Sequence, residues 1–172
     1  MGALPPAVRV VSTQMGDLKV LAGPSGVFRV ALPGSVEPST PNALPLRAPE
    51  EPLNPATVVD EAAGQLEAWF SGELRVFTVP VDLGAVFGFQ RRVLEAARVI
   101  PFGETVSYRE MAIAAGSPDA VRAAGTAMGA NPVPILIPCH RVIRSDGSPG
   151  MYGGGEELKR WLLDFEAAAV AR

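Results

Sequence analysis

The sequence predicts an α+β protein in two parts. A small N-terminal domain, residues 1–85, combines a β-meander with a helix. A helical C-terminal domain, residues 86–172, carries a winged-helix-like helix-turn-helix. Three observations lead there. Short Val- and Leu-rich runs separated by turn signals fill the first 32 residues. Apolar spacing of 3.6 residues then recurs from Val58 onward. Two short helical segments also meet across a tight Gly-Ser turn at Gly116–Ser117.

The strand-like runs are Val8–Ser12, Leu18–Ala22 and Val27–Leu32, divided by M-G-D and G-P-S-G turns. Residues 33–55 hold seven prolines, which oppose helix and central strand alike, and predict a long surface loop. Val58, Val59, Ala62, Ala63, Leu66, Trp69 and Phe70 then share one helical face. Asn54 or Thr57 caps its start, and Gly72 stops it. Leu74–Val81 alternates as a further strand would. Nothing in this half carries chemistry, and it is expected to serve as a scaffold.

In the second half a helix is expected over Val86–Ile100, with Phe89, Val93, Ala96, Ala97 and Ile100 as its apolar face, ended by Pro101-Phe102-Gly103. Ser107-x-x-Glu110 is a capping box for the next helix, which Gly116 closes. Ser117-Pro118 signals a third helix from Pro118 to about Met128. Its expected buried side is Val121, Ala124 and Met128, which turns Arg122 outward. Arg122 is its only long basic side chain among many Ala and Gly. Two readings fit. The small residues serve tight packing, with Arg122 a solvated charge; or the helix closely approaches a narrow groove, with Arg122 as wedge or phosphate contact. A final helix is expected from Glu156, with Leu158, Trp161, Leu162, Phe165 and Ala169 as its stripe and Glu166 on the edge.

Composition excludes several classes. At 48% hydrophobic residues the chain is too apolar for disorder. No apolar run reaches about 18 residues, so no membrane span is expected. The N-terminus lacks a basic segment followed by an apolar core, so no signal peptide is expected. One cysteine forms no internal disulfide, which suits a reducing, cytoplasmic setting. One cysteine and one histidine do not make a zinc site, and no metal or cofactor is expected. Net charge is −3. Residues 1–85 carry 5 basic and 9 acidic side chains, residues 86–172 carry 10 and 9. Any nucleic-acid affinity then rests on a few placed groups rather than a broad positive field.

The scarce residues converge on Asn131–Val142, N-P-V-P-I-L-I-P-C-H-R-V, read as an apolar strand leading to Cys139 and His140. A buried structural cysteine and a reactive thiol both fit these residues alone. In extended geometry adjacent side chains point to opposite faces, so a turn or a bridging water must link Cys139 to His140. Glu166 is either a surface carboxylate or the third group that orients His140. The glycine-rich stretch Ser148–Gly155 lacks the phosphate-loop pattern and reads as a lid or a close backbone wall.

Together these motifs resemble the O6-alkylguanine-DNA alkyltransferases over roughly residues 87–166. The resemblance runs through F-Q-x-x-V from Phe89, I-P-F-G-E-T-x-S-Y from Ile100, R-A-A-G-x-A-M from Arg122, the Asn131–Val142 string, Y-G-G-G from Tyr152 and K-R-x-L-L-x-x-E from Lys159. It implies minor-groove binding of double-stranded DNA containing O6-alkylguanine, extrusion of the damaged base, and irreversible transfer of its alkyl group to Cys139 without a cofactor. By the same resemblance His140 removes the thiol proton through a water, Glu166 orients His140, and Asn131 supports the turn. Tyr108 donates to the flipped guanine, and Arg122 fills its gap, with Ala123, Ala124 and Gly125 completing the DNA-contacting segment. The backbone at Cys139 and Val142 reads the exocyclic amine, and amides near Tyr152 and Gly153 bind the O6 edge. The protein is expected to act as a monomer, with cooperative binding on DNA left open. Leu94 departs from the tryptophan of many relatives, and Gly129 from a basic residue in some. Competing readings are a lesion-binding module without transfer, a helix-turn-helix regulator sensing through Cys139, and a Cys-His hydrolase.

Overall fold

Val-rich runs punctuated by glycine turns make the first sheet. In the computed structural model, which describes residues 4–35 and 50–172, β1 (Ala7–Thr13), β2 (Gly16–Gly23) and β3 (Gly26–Ala31) pair antiparallel in sequence order. Gly16, at φ 113°, makes the first turn, closed by the Thr13 hydroxyl donating to the Gly16 carbonyl at 2.6 Å. Much of the Pro-rich loop expected over 33–55, residues 36–49, lies outside the described residues.

Helix α1 (Pro55–Phe70) begins where proline suits the first turn and the Asn54 side chain accepts from the Ala56 amide at 3.0 Å. Thr57, the alternative cap, lies inside the helix. The face expected from periodicity is the buried one, from Val58 to Phe70, and it packs on the sheet with Leu18, Val20 and Val30. Each such side chain contributes about 1.5–3 kcal/mol on burial. Ser71 ends the helix, and Gly72 follows at φ 81°.

The strand expected over Leu74–Val81 does not form; its one ladder contact is an isolated bridge from Val81 to Val27. The cause is a competing acceptor. The Gln65 side-chain carbonyl takes the Thr78 and Val79 amides at 2.8 and 3.2 Å, where a neighbouring strand would have paired them.

The chain divides into two compact units, the second starting at Phe87. That unit contains α2 (Gly88–Arg98), β4 (Val106–Ser107), α3 (Tyr108–Ala114), α4 (Val121–Gly129), β5 (Val142–Ile143) and α5 (Glu156–Val170). The capping box at α3 is complete, with Ser107 and Glu110 bonding each other's backbone amides. β4 pairs parallel with β5, which ties the start of α3 to the residues after Cys139.

Two expectations need correction here. Helix α4 starts at Val121, not Pro118, because Ser117 is already committed. Its amide donates to Ala112 to finish α3, and its carbonyl closes a turn with the Ala120 amide, both at 2.9 Å. The later start turns Val121 outward, at 36% exposure, and buries Ala124, Ala127 and Met128. Pro132–Pro138 is not a strand either. It folds into a tight loop with a bridge between Pro134 and Ile137, and Ile135 sits at φ 74°. Alternating prolines leave too few amides for a ladder.

Candidate active site

The loop before the cysteine is built by one side chain. Asn131 Nδ2 donates to the Ile137 carbonyl at 2.9 Å, and Asn131 Oδ1 accepts from the Val133 amide at 3.0 Å. This tie holds both ends of the loop around Ile135, whose left-handed backbone costs roughly 1–3 kcal/mol in a branched residue. The chain then enters a 3-10 turn over Cys139–Arg141. A turn, rather than an extended strand, carries the adjacent residues Cys139 and His140.

Cys139 is 3% exposed. Burial raises its thiol pKa, and a hydrogen bond from Asn131 and the Lys159 ammonium offset only part of that rise. His140 is fully buried, and its Nε2 lies 2.7 Å from Glu166 Oε1. Glu166 is saturated. Its two oxygens also accept from Arg141 Nε at 3.0 and 2.9 Å, from Arg141 Nη2 at 2.7 Å and from the Gly103 amide at 2.9 Å. Burial alone would raise its pKa, but the hydrogen bonds from His140 and Arg141 outweigh it and hold the carboxyl at about 2. Arg141 Nη1 donates to the Ile100 carbonyl at 2.6 Å, which anchors the pair to the end of α2.

This arrangement fixes the imidazole. An ionised carboxylate only accepts, so Nε2 carries the proton toward Glu166 and Nδ1 keeps the lone pair. Burial lowers the His140 pKa, and Arg141 already neutralises the carboxylate, so the ring is neutral and basic at Nδ1.

A second buried cation was missed by the sequence reading. Lys159 is fully buried in the first turns of α5. Its Nζ donates to the Val142 carbonyl at 2.5 Å, the Tyr108 hydroxyl at 3.2 Å and the Met151 carbonyl at 3.5 Å. Burial lowers it to about 8. A signal was present in the sequence. Lys159, Leu162 and Glu166 share one helical face, and that face is the buried one. The expected stripe of Leu158, Trp161 and Phe165 is only half-buried.

Tyr108 opens α3, with its hydroxyl 3.4 Å from the Met151 carbonyl. The Tyr152 hydroxyl is buried beside Cys139, and burial together with that thiol raises its pKa well above the ordinary value. Gly153 is exposed. Val142 is engaged internally, its amide bonding the Cys139 carbonyl and its own carbonyl held by Lys159. On α4, Arg122 and Ala123 are exposed and Gly125 faces the Tyr108 ring. Ala124 is fully buried, so its side chain offers nothing to DNA, a correction that follows from the helix phase.

A cleft of about 520 Å³ runs beside these groups, lined by Tyr108, Val121, Arg122, Gly125, Thr126, Gly129, Ala130, Arg144 and Met151. Two arginines and no carboxylate line it. Cys139 lies outside that lining.

A single buried thiol, an imidazole held by a carboxylate and an adjacent helix pair define a protein with a buried cysteine-histidine centre and a cleft lined by two arginines. Residues 88–168 match the family model for the 6-O-methylguanine DNA methyltransferase DNA-binding domain. A methylated-DNA–protein-cysteine methyltransferase of Mus musculus is 41% identical over 170 residues, covering 91% of this chain and 79% of the mouse protein. One from Mycobacterium tuberculosis is 50% identical over 105 residues, covering 61% of this chain and 63% of that protein. Among solved structures, Mycobacterium tuberculosis OGT in complex with DNA is 36% identical with a TM-score of 0.79, covering 94% of this chain and 93% of that one. The chain belongs to the methylated-DNA–protein-cysteine methyltransferase family.

Proposed function

We propose that this protein repairs DNA by taking the alkyl group from O6-alkylguanine onto the sulfur of Cys139. The observation that carries the reading is the buried His140–Glu166 bond beside the chain's single cysteine, in a family named for transfer to a protein cysteine.

His140 Nδ1, acting through a water, accepts the thiol proton. The thiolate attacks the alkyl carbon, the S–C bond forms and the C–O6 bond breaks. The departing guanine carries the electron pair and takes up one proton. Glu166 stabilises the imidazolium that forms, as a carboxylate orienting a histidine does. Lys159 and Tyr108 supply positive charge and a hydroxyl donor at the pocket wall, where charge develops on the base. The thioether is not hydrolysed, so one protein repairs one base.

The base must leave the duplex to meet a thiol this deep, at a cost of a few kcal/mol. Helices α3 and α4 are assigned the DNA-contacting role, with Arg122 filling the vacated space and Tyr108 crowding the adjacent backbone. The N-terminal unit is assigned as scaffold. Among the described residues no helix is long and apolar enough to cross a membrane. A cytoplasmic, DNA-associated location, where a thiol stays reduced, fits the reaction.

Cys139→Ala tests the reading. It should bind a duplex containing O6-methylguanine and leave the methyl group on the base. Transfer that persists in this variant would show that another residue is the acceptor. Arg122→Ala should slow repair of the duplex more than transfer from the free base; equal slowing would remove its flipping role.

A further inference from the structure

The cleft beside the site has a second arginine that the motifs did not single out. Arg144 is exposed and lines the same cleft as Arg122 and Tyr108. It stands directly after β5, five residues beyond Cys139. The chain there is built rather than loose. The Arg144 amide donates to the Ser148 carbonyl at 2.9 Å, and the Gly147 amide donates back to the Arg144 carbonyl at 3.0 Å. Asp146 Oδ1 accepts from both the amide and hydroxyl of Ser148, at 2.9 and 2.6 Å. Gly147, at φ 85°, allows the turn.

Within the turn, Asp146 is held below the ordinary carboxylate range mainly by its hydrogen bonds from Ser148 and, to a smaller degree, by the Arg144 charge. Asp146 is the nearest carboxylate in sequence, but its acceptor oxygen is committed to Ser148. Among the described residues no ion pair within 4 Å involves Arg144. Its positive field also reaches inward: it opposes the burial that raises Tyr108 and adds to the burial that lowers Lys159, so the guanidinium lies within electrostatic reach of both. An exposed arginine with a free fork, on a rigid turn at the rim of a carboxylate-free cleft, is suited to a phosphate diester.

We propose that Arg144 is a DNA-phosphate contact, the second arm of a clamp whose first arm is Arg122 on α4. The two arms differ in kind. Arg122 rises from a helix and reaches the duplex, whereas Arg144 is fixed by β5 to the reactive turn and holds the backbone of the nucleotide that enters. This assignment rests on the alkyl-transfer reading and deepens it. It also supplies the placed charge that a chain of net charge −3 needs to hold DNA at all.

The test uses the full chain and a labelled duplex containing O6-methylguanine, with binding measured by anisotropy across a salt series. Arg144→Ala should weaken binding about fivefold or more and reduce the slope of log K against log salt by about 0.9, the loss of one phosphate contact. Arg144→Lys should keep the slope, since the charge remains. Single-turnover transfer should fall at least fivefold more on duplex than on the free base. Unchanged affinity and slope in Arg144→Ala would overturn the proposal, as would equal loss of transfer on duplex and free base, which would make Arg144 a pocket residue. Failure of the unmodified protein to alkylate Cys139 from either substrate would instead overturn the transfer reading beneath it.

Discussion

Among the largest fully buried side chains, those of the N-terminal unit are Trp69, Leu18, Leu66, Val11 and Val20, all apolar; those of the C-terminal unit include Lys159, His140 and Glu166. With Arg141, these are the buried polar and charged residues among those described, and all lie after residue 138. The first unit gains stability as burial theory expects, from apolar area removed from water. The second carries desolvated charges whose cost is met only because each has partners, and replacing such groups by packed apolar ones often stabilises a protein. A protein that keeps them is using them. Charge inside the core marks the reactive unit, and its absence marks the scaffold.

The largest effect should come from breaking the charged cluster. Glu166→Gln leaves His140 without its carboxylate and Arg141 as an unpaired buried cation. Transfer is expected to fall by roughly 10²–10⁴, and stability by about 3–5 kcal/mol. Single-turnover kinetics and a denaturant melt measure the two separately. Full activity would mean that the cluster is only structural.

The matching change in the apolar unit is Leu66→Ala. It should cost about 2–5 kcal/mol through a cavity, while the transfer rate per folded molecule stays the same. A slower rate in the folded fraction would end the division between scaffold and reactive unit.

Acid should act on the charged cluster as well. Glu166 has its pKa lowered from 4.5 to about 2. The unfolded chain therefore binds its proton first as pH falls. The contribution is complete above about 4.5 and is lost as pH drops toward 2, roughly 3 kcal/mol in all. His140, lowered by burial from 6.5, adds a loss in the same direction starting at higher pH. The acid slope of stability between 4.5 and 2 should be much shallower in Glu166→Gln. An unchanged slope would place the acid sensitivity elsewhere.

What the sequence showed and hid follows the same division. The meander, the buried face of α1, the Asn54 cap and the Ser107–Glu110 box were legible because local spacing and turn chemistry determine them. Glu166 as the partner of His140 was one of two readings of the residues, which the family resemblance favoured, and the geometry brings the two together. Leu74–Val81 misled because alternation does not reveal that Gln65, thirteen residues away, takes the amides. The proline-framed segment misled because an apolar run does not distinguish a strand from a loop tied by Asn131. The burial of Arg141 and Lys159 was not foreseen because charged residues are ordinarily solvated. Only their place on buried turns of the 3-10 element and α5 gives them away.

The smallest expected effect lies at the edge of the reactive unit. Ser107→Ala removes the cap that starts α3 immediately before Tyr108 and should cost about 1 kcal/mol. Repair of duplex should slow modestly, and a melt that does not move would show that β4 pairing alone holds this start.

The central claim is that the thiol beside the buried cluster is the acceptor. Incubation of the protein with a stoichiometric excess of O6-methylguanine duplex, followed by intact and peptide mass analysis, tests it directly. The account predicts one methyl group per chain, on the peptide containing Cys139, with no further turnover and guanine restored in the DNA. An unmodified Cys139 peptide, or repair of more than one base per protein, would contradict it.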